Sequence, residues 1–182
     1  MIGPVTLITS NNGKAREYAV LLGIEVTAAP AELTEVQALD VAVVARQKAA
    51  DAFAQLGVPV LVDDTGLAVE AWNGLPGALI TWFLGTVGAP GILDMAAGLA
   101  DRRATAVTAL GYADAGGIRV FQGAVPGQLA TQARGSGGFG YDAIFVPAGS
   151  TRTFAEMSSA EKNAISHRRR AVAAMKAGLG LP

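Results

Sequence analysis

No cysteine occurs anywhere in the 182 residues. That excludes disulfides and thiolate metal sites, and it suits a reducing compartment, so a cytoplasmic location is expected. Neither sign of charge is in excess: 14 Lys and Arg stand against 15 Asp and Glu, a formal net charge of −1. A chain so balanced has no basic field to hold a nucleic-acid backbone or an anionic membrane, and neither partner is expected. A small anion needs only a few well-placed cations, so a nucleotide stays within reach. The N-terminal Met1-Ile2-Gly3-Pro4 has no basic flank and no long apolar run, so no signal peptide is expected. The least polar stretch, residues 71–93, carries no charge. Its glycines and prolines, from Gly74 and Pro76 to Pro90 and Gly91, cut it well short of the ~20 continuous apolar residues of a membrane span. It reads as buried loop and short helices.

Hydrophobic residues make up 51% of the chain, enough for one domain over residues 1–182 with room for two lobes. Residues 5–9 are patterned as a buried strand, and residues 14–22 as a helix stopped by Gly23. A longer helix is expected over about 40–56, closed by Gly57, and then an apolar strand over 58–62 that ends at Asp63-Asp64. This alternation predicts an α/β core. Residues 103–112 and 118–125 alternate as strands around a hairpin turn at Asp114-Ala115-Gly116-Gly117. Another strand is expected over 143–146. The final helix opens on Ser158 and Glu161 at capping-box spacing, with Ile165, Val172, Met175 and Leu179 on its apolar face.

Four segments can carry chemistry. Thr9-Ser10-Asn11-Asn12-Gly13-Lys14 lies where a strand ends and a helix begins, a place where unpaired backbone N–H groups collect anions. It is not a Walker A loop, because the upstream glycine is missing and Ala15 follows the lysine. A capped helix start with an exposed lysine would look the same. Asp63-Asp64 stands at the end of an apolar strand, where α/β folds place reactive groups, and carboxylates there suit Mg²⁺. Neighbours on a strand point to opposite faces, so only one aspartate is expected to enter a site. Gly135 to Gly140 matches G-x-G-x-x-G, but a strand rather than a helix is expected after it, so no dinucleotide fingerprint is read. Its glycines would instead let a loop fold around something flat, with Phe139 as the stacking surface. In the last helix Lys162, the only histidine, His167, and Arg168 lie close in sequence. Lys162 is expected in the first turn, and on a regular helix it would stand roughly 120° from Arg168. One ligand could then be served only if it lay across the helix start.

Together, Thr9-Ser10-Asn11-x-x-Lys14, Val62-Asp63-Asp64-Thr65-Gly66-Leu67, Gly74-Leu75-Pro76-Gly77, Phe139-Gly140-Tyr141-Asp142 and Glu161-Lys162-x-Ala164-x-Ser166-His167-Arg168 resemble the inosine triphosphate pyrophosphatase family. The resemblance implies an α/β fold with a mixed, elongated central sheet flanked by helices, and two lobes with a cleft between them. It implies hydrolysis of ITP, dITP and XTP to the monophosphate and pyrophosphate, with Mg²⁺ as cofactor. Asp64 would bind metal and accept the proton, Glu35 would be the other metal ligand, and Thr65 and Lys48 would touch substrate. Thr9, Ser10, Asn11, Asn12, Gly13 and Lys14 would cradle phosphates. Phe139, Gly140, Tyr141 and Asp142 would hold the base, Lys162 the nucleotide, and His167 with Arg168 the 6-oxo edge of the purine. A homodimer is implied, with the apolar surface around Trp82-Phe83 as a place for the partner to dock. Thr81 stands where some members carry a substrate-contacting lysine, and Ala143 replaces the proline usual after Tyr-Asp. A pyrophosphatase for pyrimidine or modified-base triphosphates and a non-hydrolysing nucleotide-binding regulator are the competing readings. All of them require acids from the first half and cations from the tail to meet in one cleft.

Overall fold

The computed structural model describes residues 5–9 and 12–181, without the side chain of Asn12. One seven-stranded sheet runs through it: β1 (Val5–Ile8), β2 (Val26–Ala29), β3 (Val60–Val69), β4 (Pro76–Gly77), β5 (Arg103–Asp114), β6 (Gly117–Leu129) and β7 (Phe145–Pro147), in the order β2-β1-β3-β5-β6-β7 with β4 beside β3. β1 pairs in parallel with β2 and β3, and the remaining pairs are antiparallel. The sheet is therefore mixed, as expected. Six helices flank it: α1 (Asn12–Leu22), α2 (Val41–Leu56), α3 (Ile80–Thr86), α4 (Gly88–Met95), α5 (Ser159–Ile165) and α6 (His167–Leu179). Among the described residues no helix is long and apolar enough to cross a membrane.

Three apolar clusters fill two ends of the sheet. At one end α1 and α6 cover one face, around Leu7, Tyr18, Leu61, Leu110 and Met175, and α2 covers the other, around Ala45, Ala49, Val60, Val62 and Ala109. At the far end Leu67, Val69, Ala104 and Ala106 join Ile80, Ile92, Phe145 and Phe154. The two long strands β3 and β5 pass through both ends. Between the clusters they carry polar residues instead: Asp63, Asp64 and Thr65 on β3, and the fully buried Thr108 opposite Thr65. That polar waist is where two lobes meet.

Several local expectations need correction. β3 does not stop at the aspartates but runs through them to Val69, because β5 pairs with it residue for residue from Val60 to Val69. β6 passes Val125 and Pro126 and ends at Leu129. Pro126 accepts a bond from Ala148 N (2.9 Å), so its backbone edge faces the β7 side and its missing N–H leaves the β5 ladder intact. The short strand expected over 143–146 begins later, at Phe145, because Ile144 N still closes a turn onto Tyr141 O (3.0 Å). The last helix is two helices. Ser166, extended at φ −65° and ψ 157°, ends α5, and its hydroxyl accepts from Arg169 N (3.2 Å) to open α6. Ile165, read as core, is exposed at that junction, whereas Val172 and Met175 are buried.

Candidate active site

The cleft exists because the sheet has a notch. β1 leaves β3 after Ile8 faces Val62, and β4 joins β3 only at Leu67. From Asp63 to Gly66, β3 is paired with β5 alone on its other side. Side chains from both faces of the strand can reach around this open edge. The expectation that only one aspartate enters the site is therefore corrected: both line a cavity of about 450 Å³, along with Thr9, Lys14, Lys48 and Arg168. Strand alternation still holds, and it decides which partners each acid meets.

Asp63 shares a face with Leu61, so it meets α1 and α6. It forms an ion pair with Lys14 and accepts from Tyr18 Oη, and Arg168 Nε lies 3.3 Å from its Oδ2. Burial by itself would raise the Asp63 carboxyl. Lys14 and Arg168 outweigh it and hold the group well below the usual carboxylate range. Asp64 shares a face with Val62 and meets α2 instead. Lys48 Nζ lies 2.8 Å from its Oδ1 and 2.6 Å from Glu35 Oε1, while Asp64 Oδ2 is buried without a hydrogen-bond partner. Burial pushes the Asp64 carboxyl up to about 6, and Lys48 offsets only part of that. No cluster of three or more His, Cys, Asp or Glu suited to a metal occurs among the described residues.

Arg168 is the largest fully buried side chain among the described residues. Its three nitrogens reach Asp63, Glu17 Oε2 (3.2 Å) and Thr65 Oγ1 (3.3 Å). Burial disfavours its charge, but Asp63 and the other acidic groups around it keep it firmly protonated. His167, beside it, is 1% exposed and stays neutral: burial, then the charges of Arg168 and Lys162, drive its pKa well below the ordinary value. Its Nε2 lies 3.4 Å from Tyr141 Oη, and its Nδ1 is buried without a partner. Gly123 sets the position of this pair. A Cβ there would come within 2.2 Å of both His167 O and Ala171 N, so only glycine lets α6 sit this close to β6.

The glycine loop folds around Asp142. Its Oδ2 accepts from Phe139 N (2.8 Å) and from Lys162 Nζ (2.6 Å), and a Cβ on Gly138 (φ +71°) would collide with that oxygen at 2.0 Å. Asp142 thus shapes the loop, while Tyr141 bridges to the notch by donating to Gly66 O (3.0 Å). Phe139 forms a wall with cations at its ring, Lys162 Nζ at 4.7 Å and Arg168 Cζ at 4.8 Å from the centroid. Lys162 lines the adjoining hollow of about 560 Å³, on the other side of that wall from Asp64. It sits in the last turn of α5, not the first turn of a long helix, where the dipole favours a cation. The break at Ser166 also removes the angular conflict between Lys162 and Arg168, since they no longer share a helix.

Nearly all of the anticipated residues are brought together. Thr9, Lys14, Glu35, Lys48, Asp64 and Thr65 line the cavity, as do Gly140, Tyr141, Asp142, His167 and Arg168, and Gly13 lines the adjoining hollow with Lys162. Phe139 faces both. Ser10 and Asn11 lie outside the described residues, as does the side chain of Asn12. Thr81 lines the cavity at the place anticipated for a lysine. Glu17 and Tyr18 do not stand out in the sequence as site residues, and Asp63 does so only as the alternative to Asp64. A signal for the first two was present: they follow Lys14 by three and four residues, which puts all three on one side of α1.

The fold is α/β with a cleft that brings acids and cations together, and comparison with known proteins shows which class it belongs to. The Ham1 family model matches residues 5–178, and the chain belongs to that family. A protein of Pyrobaculum aerophilum named dITP/XTP pyrophosphatase is 43% identical, over 96% of this chain and 95% of its own length. An inosine triphosphate pyrophosphatase of Fusarium vanettenii is 44% identical, over 95% of this chain and 94% of its own. A HAM1 protein structure from Coxiella burnetii superposes with a TM-score of 0.86 at 29% identity, covering 98% of this chain and 99% of its own.

Proposed function

We propose that this chain hydrolyses ITP, dITP and XTP to the nucleoside monophosphate and pyrophosphate, the activity carried in the names of its relatives. The observation that carries the reading is the contact of Arg168, from the tail, with Asp63, beside Asp64 on β3 (3.3 Å). Groups suited to a base and groups suited to a triphosphate thereby face one cleft.

Asp64 and Glu35 fit Mg²⁺. Both are hard oxygen donors, Asp64 Oδ2 is a buried acceptor without a partner, and this ion typically takes one or two carboxylates beside substrate phosphates. When bound, Mg²⁺ draws charge from phosphate oxygens and acidifies water. Asp64 takes the proton of a water that attacks the α-phosphorus. The new oxygen–phosphorus bond forms as the α–β bridging bond breaks, and pyrophosphate leaves with the electron pair. Burial favours the protonated form of Asp64, the direction that makes a carboxylate a stronger base, and a bound cation would draw it back toward the ionised form. Thr9 and Lys14 hold phosphates, Lys14 stabilises the charge that builds on them, and Lys162 fixes the base-side loop through Asp142.

The base lies against Phe139. Arg168 has five N–H donors, and three contacts engage it, leaving one donor on each terminal nitrogen for a purine 6-oxo group. Adenine presents an amino donor at that position, so buried donors would face each other. A site built for one group rejects such a mismatch by ~10⁴ or more. Guanine shares the 6-oxo group, so its rejection depends on space or polarity near C2. A second copy of the chain docks at α3, where Trp82 is 63% exposed.

Pyrophosphate release by the purified protein with Mg²⁺, measured on ITP, XTP, dITP, ATP, GTP and dUTP, tests the reading. Turnover of the first three well above the others is expected. Faster cleavage of dUTP would turn the enzyme into a pyrimidine-directed one, and binding without release would make it a regulator.

A further inference from the structure

Lys48 stands where a second cation would have to go. Its ammonium touches both Glu35 Oε1 (2.6 Å) and Asp64 Oδ1 (2.8 Å), and these are the two carboxylates that fit a divalent ion. Glu35 is otherwise poorly anchored. Its side chain is 61% exposed, and it lies in residues 30–40, which form no regular strand or helix. Lys48, by contrast, projects from a firmly fixed helix. α2 starts on Asp40, whose side chain accepts from Ala42 N (2.8 Å), and ends on Gly57 in the left-handed conformation. It packs so closely on β5 that a Cβ on Gly111 would meet Ala45 O at 2.4 Å. A fixed helix carrying a long, rotatable, compact charge is suited to hold two carboxylates together and then to let go of them.

We infer that Lys48 competes with the divalent ion for Glu35 and Asp64, giving way toward the substrate phosphates as the ion binds. This rests on the reading that Glu35 and Asp64 hold the metal. Two like charges in a half-buried cleft repel unless something positive lies between them. Lys48 supplies that charge and keeps Glu35 gathered beside Asp64 until the ion displaces it. Metal loading and the placement of a phosphate-binding lysine then become one event. Such an exchange makes Lys48 a competitor of the metal. Its loss should therefore tighten metal binding while it slows catalysis, opposite directions that a simple structural role would not produce.

The test is calorimetric titration of the nucleotide-free protein with Mg²⁺, and with Mn²⁺ as a second probe, for wild type, Lys48→Met, Lys48→Arg and Lys14→Met. Lys48→Met should bind metal about tenfold more tightly, the scale expected when a competing charge is removed. Lys48→Arg should bind it more weakly, because a guanidinium forks across two carboxylates and is harder to displace. Lys14→Met, whose salt bridge is to Asp63, measures the general effect of losing a cleft cation and should shift affinity much less. Unchanged or weaker binding in Lys48→Met overturns the exchange, as does an equal shift in Lys14→Met or the absence of metal binding in every variant. Should Lys48→Met fail to fold, weaker binding in Lys48→Arg supports the exchange, and unchanged or tighter binding overturns it. No nucleotide enters these titrations, so failure of the pyrophosphatase reading would show separately, in the release assay.

Discussion

Asp63 and Asp64 are adjacent on one strand and almost equally buried, at 8% and 7% exposure, yet their surroundings have opposite effects. Asp63 faces α1 and α6 and is saturated by Lys14, Tyr18, Arg168 and Thr65. Asp64 faces α2, has Lys48 on one oxygen and nothing on the other, and keeps a raised carboxyl. One residue of strand alternation thus separates a carboxylate committed to structure from one left under-compensated. Under-compensation is what a reactive or metal-binding acid requires, and it cannot be read from burial alone.

The largest effect should come from the second acid. Asp64→Asn keeps the shape but removes the proton acceptor, and turnover of ITP should fall by ~10²–10⁴ with the fold retained. A near-normal rate of pyrophosphate release in this variant would take Asp64 out of its assigned role. The matching change at the first acid should act on stability. Asp63→Asn leaves Arg168 and Lys14 without their shared counter-charge, and breaking a buried pair this way typically costs about 3–5 kcal/mol. Chemical denaturation of the two variants side by side checks the contrast. Equal losses would mean that the two aspartates are not divided as described.

How much of this the chain displays before folding depends on the range of the interactions. α2 is readable to within a residue because Asp40 and Gly57, its two caps, lie next to it in sequence. The split between α5 and α6 is hidden, since Ser166 looks like one more polar residue in a helical run until its hydroxyl is seen capping Arg169 N. β3 is misjudged for a different reason: Asp63, Asp64, Thr65 and Gly66 break the apolar pattern, and only the pairing with β5 shows that the strand continues. The family resemblance points to Arg168 and Asp64 as site residues, but not to the anchor between them. The contact of Arg168 with Asp63 spans 105 residues, and no local spacing predicts it. The sheet notch is equally non-local, because it arises where β1 ends and β4 has not begun.

A second helix contact sharpens the comparison on a smaller scale. Gly123→Ala would place a methyl into the backbone of α6 at His167 and Ala171, and α6 holds Arg168 against Asp63. Overpacking of this kind costs typically 1–3 kcal/mol. Stability should fall by about that amount, and the Asp63 side of the strand should be disturbed while Asp64, held from α2, is spared. The measurable sign is a loss of preference between ITP and ATP that exceeds the loss in maximal rate. An unchanged preference would mean that α6 can shift without moving its arginine.

The smallest effect is a dependence of stability on pH, and its direction differs between the two acids. Asp64 has a folded pKa of about 6, above the ~3.9 of an unfolded aspartate, so between those values the native state holds more protons. Its contribution is therefore lost as pH rises from about 4 to 6 and stays lost above. Asp63, depressed when folded, stabilises above ~3.9 and fails only as pH falls below that value. Neutral, buried His167 acts against Asp64 in the same window, since protonation of the unfolded chain below ~6.5 favours unfolding. The wild-type curve alone mixes these slopes, but the difference between wild type and Asp64→Asn isolates one of them. With metal removed by chelation, the asparagine variant should gain on wild type by roughly 2 kcal/mol between pH 4 and pH 7, at about 1.4 kcal/mol per pKa unit, and no further above. A flat difference across that range would mean that Lys48 compensates Asp64 fully, and the contrast between the two neighbours would lose its electrostatic basis.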